Sequence, residues 1–367
     1  MTKLFTVKCS IIAYTLDFKF EAGTSRGILK NKLTHFVQVH SDQFPESIGI
    51  GEAGPLKGLS IDDFSDFQEK ANLILRRVEQ IKFQANQELL LKQIDELQLS
   101  EYPSIQFALE TALLDLINGG KREIFQNNFF NGNLFLPING LVWMGDKGFM
   151  ERQIDQKLEQ GFDCIKMKIG AINFGQECEI LGKIRDRFSR DKITIRVDAN
   201  GAFTPENALD RLTKLNEYDI HSIEQPIKPG LFREMNKLCK QSPIPIALDE
   251  ELIGVYGRGK RLELLESIAP QYIILKPTLL GGIVATREWV ELANNTSTGW
   301  WMTSALESNI GLNAIAQLTA NFQVSIPQGL GTGQLYHNNV DSPLMISEGK
   351  LSYNRKFDWE LPDIFNH

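Results

Sequence analysis

The chain has 367 residues, enough for about two domains of ordinary size or for one large barrel with an appendage. Hydrophobic residues at 42%, charged residues at 23% and ordinary numbers of glycine (29) and proline (14) exclude collagen-like, disordered and low-complexity chains. A net charge of −7 disfavours a nucleic-acid partner, which needs a concentrated positive surface.

At the N-terminus, Lys8, Cys9, Ser10, Tyr14 and Thr15 break the apolar run, so no signal-peptide core is expected. No stretch approaches about 18 consecutive apolar residues, and no membrane partner is expected either. The runs TVKCSIIAYTL, THFVQVH and IGIGEAGPLKGLS, with a loop over Glu21–Gly27 between the first two, read as a strand meander. A helical pattern follows from Phe64 to about Leu97, and Pro103 opens a second helix that stops at Gly119 and Gly120. A strand-then-helix unit therefore comes first.

The pattern then changes to short apolar runs alternating with helical stretches. The runs start at Pro137, Cys164, Thr194, Ser222, Pro245, Tyr272, Gly299 and Ser325, 23 to 30 residues apart, the length of one βα unit. Eight such units point to a (β/α)8-type barrel and away from an open sheet, because no strand–loop–helix carries a credible dinucleotide or phosphate-loop fingerprint. The GLGTG stretch at 329–333 lacks an acidic ribose partner and does not change this. From about Asn338 the tail reads as loop plus strand that leaves the barrel to pack on the N-terminal unit.

In such a barrel the functional groups stand at the C-terminal ends of the strands. Lys166 and Lys168, Asp198, Glu224, Asp249 and Lys276 recur there at the barrel period, which places three carboxylates and three lysines around one mouth. Three carboxylates from three strands make an all-oxygen site suited to Mg²⁺ or Mn²⁺. Taken singly, each acid reads equally as a helix N-cap, and the lysines read alternatively as bridging the acids without metal. Two residues apart on a strand, Lys166 and Lys168 face the same side, here the barrel interior. To act as a base near neutral pH, a lysine needs its pKa lowered by a neighbouring ammonium or a cation. Lys276 also reads as the Schiff-base lysine of an aldolase-type barrel.

The five histidines show no metal-binding spacing and read as structural or surface groups, and Trp143, Trp300 and Trp301 read as barrel core. Cys9, Cys164, Cys178 and Cys239 form no CxxC pair, which fits reduced thiols in a cytoplasmic protein.

The set IKMKIG (165–170), RVDAN (196–200), IEQP (223–226), ALDE (247–250) and LKPTLLGG (275–282), with FALETALLDL (107–116), resembles the enolase superfamily, muconate-lactonising subgroup, over nearly the whole chain. The resemblance implies an α/β fold, a modified TIM barrel of (β/α)7β type over 126–339, with an N-terminal α+β capping domain over 1–125 completed by 340–367. It also implies proton abstraction alpha to a carboxylate in a small-molecule substrate. Asp198, Glu224 and Asp249 would hold Mg²⁺, Lys168 would be the base, Lys166 the partner that lowers its pKa, and Lys276 the group on the opposite face. Asn200 and Glu250 would orient the groups around them.

The loops at 22–27, 52–60, 303–317 and 328–339 resemble those of a hydro-lyase of the subgroup. Their likeness implies syn-dehydration of 2-succinyl-6-hydroxy-2,4-cyclohexadiene-1-carboxylate to an aromatic acid in menaquinone biosynthesis. Ser304 and backbone donors around Gly331 are candidates for a substrate carboxylate. Arg26 reads as a lock for a loop over the mouth, as a contact to the distal carboxylate, or as an exposed turn residue. Glu307 reads as a charge partner of Lys276 or as an ordinary loop acid. An N-acylamino acid racemase or dipeptide epimerase would share every metal ligand. A metal-independent barrel, either a Schiff-base aldolase or a non-catalytic binding scaffold, is the reading from another class. The oligomeric state stays open.

Overall fold

The computed structural model describes residues 3–24 and 27–365, with only the backbone at Thr24. Arg26 and His367 lie outside the described residues. Lys8–Thr24, Gly27–His40 and Gly49–Ala53 form a three-stranded antiparallel sheet in that order. Strand pairing runs on to Thr24 and Gly27, with a register shift between Asp17 and Ala22, so most of the segment expected as a loop is the arm of a hairpin. Along Gly27–His40, side chains alternate between two faces. His35, Val37 and Val39 turn to the helices of this unit, whereas Phe36 packs with Ile310, Val340 and Phe365. Both faces are buried because the sheet lies between its own helices and the barrel.

Three helices follow, Phe67–Val78, Gln87–Asp95 and Pro103–Ile117. The helical text from Phe64 to Leu97 is split by Phe83–Gln84, which pairs with Leu4–Phe5. Asn86 then starts a new helix by accepting from the Leu89 amide at 3.1 Å. Pro103–Ile117 is mostly apolar and buried from Pro103 to Leu116, enclosed on every side, its few polar groups such as Glu110 and Asp115 included. A Cβ at Gly51 would sit 2.0 Å from the Ala108 carbonyl oxygen, so the strand rests directly on the helix backbone.

Seven parallel strands, Gly140–Val142, Cys164–Lys168, Thr194–Asp198, Ser222–Glu224, Ile246–Leu248, Tyr272–Leu275 and Gly299–Met302, pair in chain order. The eighth run forms no strand. Gln328 bridges to Ile138 and Gly329 to Thr303, and these two contacts close the curled sheet between its seventh and first strands. Proline at 327 and glycines at 329, 331 and 333 leave that run too few side chains and donors for a longer ladder. Helices lie between successive strands on the outside, and Asp146, Asn173 and Ser308 cap three of them. Among the described residues, no helix is long and apolar enough to cross a membrane. All four cysteines are unpaired.

The tail divides its contacts. Its hairpin, Leu344–Ser347 and Lys350–Tyr353, pairs with Leu136–Pro137, just ahead of the first barrel strand. Both ends of the tail reach the N-terminal sheet: Asn338 bonds Tyr14, Thr15 and Asp17 and Val340 packs on Phe36, and farther on the Phe365 ring meets Phe36 and its carbonyl accepts from Gln38.

At the seam between the two parts, Glu110 accepts from the Ile283 amide at the start of helix Gly282–Asn295. Burial pushes its carboxyl from an ordinary 4.5 up to about 8. Between those values the folded chain keeps a proton that the unfolded chain has lost, so stability falls as pH rises through that window. In Glu110→Gln the drop in urea-unfolding free energy from pH 5.5 to 8 is expected to shrink by about 1 kcal/mol or more. Equal drops in variant and wild type would refute this. Asp62 and Asp115, both pushed up to about 6 by burial, leave part of the fall in place.

Candidate active site

Strand alternation turns Lys166 and Lys168 into the barrel, and the register sets Lys168 beside Asp198 and Asp198 beside Glu224. Asp249 and Lys276 follow directly on the fifth and sixth strands. The six residues meet at one end of the barrel. Lys166 Nζ lies 2.5 Å from Glu224 Oε2 and 3.1 Å from Asp198 Oδ2. Lys168 Nζ donates to Asp198 Oδ2 at 3.0 Å and to Asn200 Oδ1 at 2.7 Å, while Lys276 pairs with Asp249. Asn200 passes the connection on, its Nδ2 donating to Glu250 Oε1 at 2.9 Å. Beneath this layer, Arg196 lies with its guanidinium 4.0 Å from the Trp301 ring and donates to the Pro327 carbonyl, filling the barrel below the site.

The electrostatics follow from burial and from which charges are nearest. Burial disfavours the Lys166 ammonium, but Asp198, Glu224 and Asp249 outweigh it and raise its pKa. Burial likewise works against the Lys276 ammonium, and Asp249 with Glu224 and Glu250 reverses the balance. Asp198, although buried, is held well below the usual carboxylate range by Lys166, Lys168 and Lys276. Burial pushes Glu224 well up, and the negative charge of Asp198 adds to it. The lysines at 166 and 276 thus answer to the acids beside them more than to each other.

Several neighbours hold this layer. Gln225, in the left-handed region at φ 39°, accepts at Oε1 from the amides of Asp249 and Glu251 and donates from Nε2 to Glu251, tying the fourth strand end to the fifth. Within IEQP, Gln225 carries no task in the sequence. A glutamine buried directly after a strand-end acid was the available signal. Asn200 is also left-handed, φ 43°, a conformation asparagine tolerates.

Ser304 is buried, and its hydroxyl donates to Glu307 Oε2 at 2.6 Å and accepts from the Leu306 amide. Glu307 takes a second hydroxyl, from Thr278, so it is not the partner of Lys276, whose ammonium is drawn to the nearer Asp249. Gly331 borders a cavity of about 290 Å³ with Lys19, Phe20 and Trp143. Trp143 is not barrel core. It packs with Phe18 and Phe20 of the hairpin arm, because it stands just beyond the first strand where that arm crosses. The arm bridges to Met144 and Tyr336 and so lies over the loops after the first and eighth strands.

Among the described residues, no three acids, histidines or cysteines stand close enough to hold a cation as placed, since Lys166 lies between Asp198 and Glu224 and Lys276 engages Asp249. The donor set nevertheless fits a hard divalent ion. It is all oxygen, it comes from three neighbouring strands, and Glu224 Oε1 is buried without a hydrogen-bond partner.

The chain matches the family Enolase C-terminal domain-like over residues 150–356. It is 46% identical over 362 residues to an o-succinylbenzoate synthase of Desulfotalea psychrophila, covering 92% of this chain and 96% of that protein. The crystal structure of MenC from Desulfotalea psychrophila LSv54 superposes with a TM-score of 0.83 at 42% identity, over 95% of this chain and 99% of that one. A substrate-liganded L-Ala-D/L-Glu epimerase from Bacillus subtilis shares the fold, with a TM-score of 0.81 at 22% identity over 96% of each chain.

Asn200→Ala takes one partner each from Lys168 and Glu250 and is expected to cost about 1–3 kcal/mol in urea unfolding. Asn200→Asp keeps an acceptor for Lys168 but sets a carboxylate against Glu250, and it should cost more. An alanine variant as stable as wild type would show that the bridge carries no weight.

Proposed function

The chain belongs to the enolase C-terminal domain-like family, and on that premise we propose that it carries out the reaction of an o-succinylbenzoate synthase. That reaction is the syn-dehydration of 2-succinyl-6-hydroxy-2,4-cyclohexadiene-1-carboxylate to 2-succinylbenzoate, and we place it in menaquinone biosynthesis in the cytoplasm. The observation that carries the reading is the placement of Lys168 and Lys276 about a shared set of carboxylates. They stand on the second and sixth strands of an eight-position barrel, so the two amines lie across the mouth from one another. Residues 1–125 with 340–367 act as the cap and 126–339 as the catalytic barrel in this reading.

Lys168, as the free amine, takes the proton from the carbon bearing the ring carboxylate, and the C–H electron pair moves toward that carboxylate. Held by Asp198 and Asn200, its Nζ stays on one face of the ring. The C–O bond to the ring hydroxyl then breaks on the same face, Lys168 returns the proton to the departing oxygen, water leaves and the amine is restored. Lys276 remains an ammonium throughout, a fixed positive charge on the other face. Its raised pKa suits that task. A Mg²⁺ ion, or Mn²⁺, held by Asp198, Glu224 and Asp249 would stabilise the negative charge that builds on the substrate carboxylate. Aromatisation of the ring makes the elimination favourable.

The decay of the cyclohexadiene absorbance in the presence of Mg²⁺ tests the reading. Wild type is expected to consume the substrate, EDTA to stop it, and Lys168→Ala to slow it by about 10²–10⁴-fold while keeping a native circular dichroism spectrum. A folded wild type that binds Mg²⁺ and leaves the absorbance unchanged would overturn the assignment and favour the racemase or epimerase reading, which deuterium exchange into N-acylamino acids or dipeptides would then show.

A further inference from the structure

Lys32 lies far from the lysines of the barrel in sequence, on the strand Gly27–His40 of the N-terminal sheet. It is 5% exposed, and among the described residues its ammonium has no hydrogen-bond partner. Burial works against the Lys32 ammonium and lowers its pKa, and an anion brought beside it favours the charged form. The two carboxylates that face it, Glu52 and Glu307, are committed elsewhere. Glu52 accepts from Thr34 Oγ1, from the Ser308 amide and hydroxyl, and from the Gly311 amide. Glu307 accepts from Ser304 and Thr278.

The place of Lys32 is the rim of the barrel mouth. Its cross-strand partner is Leu16, which packs in one apolar cluster with Trp143, Leu306 and Tyr336, residues that follow the first, seventh and eighth barrel positions. Thr278, the partner of Glu307, is two residues beyond Lys276. Gly54 leaves the room that the ammonium occupies, since a Cβ there would sit 2.6 Å from Lys32 Nζ and 2.9 Å from Thr34 Oγ1.

We propose that Lys32 binds the second carboxylate of a dicarboxylic substrate, the succinyl end, while the first lies among the acids and lysines of the barrel. The inference rests on the function proposed above. It makes Lys32 a specificity-determining residue supplied by the N-terminal sheet, which reads the end of the substrate farthest from the bond that breaks. Charge-assisted hydrogen bonds from a lysine ammonium favour a carboxylate over a neutral chain of the same length.

Calorimetric titration of the Mg²⁺-loaded protein with 2-succinylbenzoate and with 2-butyrylbenzoate, which lacks the distal carboxylate, tests the proposal. Wild type is expected to prefer the dicarboxylate by about tenfold or more, and Lys32→Met to lose that preference by weakening 2-succinylbenzoate alone. Gly54→Ala, which keeps the ammonium but crowds its place, should weaken the same ligand, and it serves if the methionine variant fails to fold. A preference retained in the folded variants, or an equal loss for both ligands, would overturn the assignment. Wild-type turnover separates the two ideas: without turnover and without binding of either ligand, the function itself falls and Lys32 with it. With turnover and a retained preference, only the role of Lys32 falls.

Discussion

Charge neutrality within a buried layer governs this molecule. Three acids, Asp198, Glu224 and Asp249, and three lysines, Lys166, Lys168 and Lys276, share the end of the barrel with little access to water. None of these charges would be tolerable alone in that position. Each strand that ends there is set by the charge it contributes, and the loops just beyond them are held by polar side chains such as Gln225 and Asn200 that keep every acid in reach of a lysine. The same balance explains the direction of the shifts at Lys166 and Asp198, each favouring its charged form despite burial.

The N-terminal unit is fixed to that barrel by a second use of buried carboxylates. Glu52 gathers the Ser308 and Gly311 amides at the start of the helix Asn309–Thr319, and Glu110 takes the Ile283 amide at the start of Gly282–Asn295. Both acids meet helix N-termini, where the amides are otherwise unsatisfied and the dipole favours negative charge. The sheet therefore docks with a defined orientation, and the hairpin arm with Phe18 and Phe20 falls across the mouth beside Trp143. Specificity can then be set by a unit that contributes nothing to proton transfer.

Much of this was legible in the residues. The βα period gave the barrel because strands buried on both faces are short apolar runs and the helices between them have a narrow range of lengths. Polar groups at the ends of such runs stand out, so Lys166, Lys168, Asp198, Glu224, Asp249 and Lys276 are legible in the sequence. The eighth run, from Ser325, reads as a strand in the sequence but shrinks to the bridges at Gln328 and Gly329. Glu307 reads in the sequence as a charge partner of Lys276 or as an ordinary loop acid, and the hydroxyls of Ser304 and Thr278 hold it. Lys32 carried no signal at all: on an antiparallel strand a lysine reads as solvent-facing unless the partner that covers it is known.

The sequence by itself determined which chemistry the barrel can perform, because period-2 alternation and a regular repeat place side chains within one element and around one mouth. Tertiary structure alone decided which charge answers which, and what the N-terminal sheet brings to the site. The charge pairs join residues on different strands, and the sheet's contacts join residues more than two hundred positions apart, such as Glu52 with Ser308; both depend on packing that no local pattern encodes.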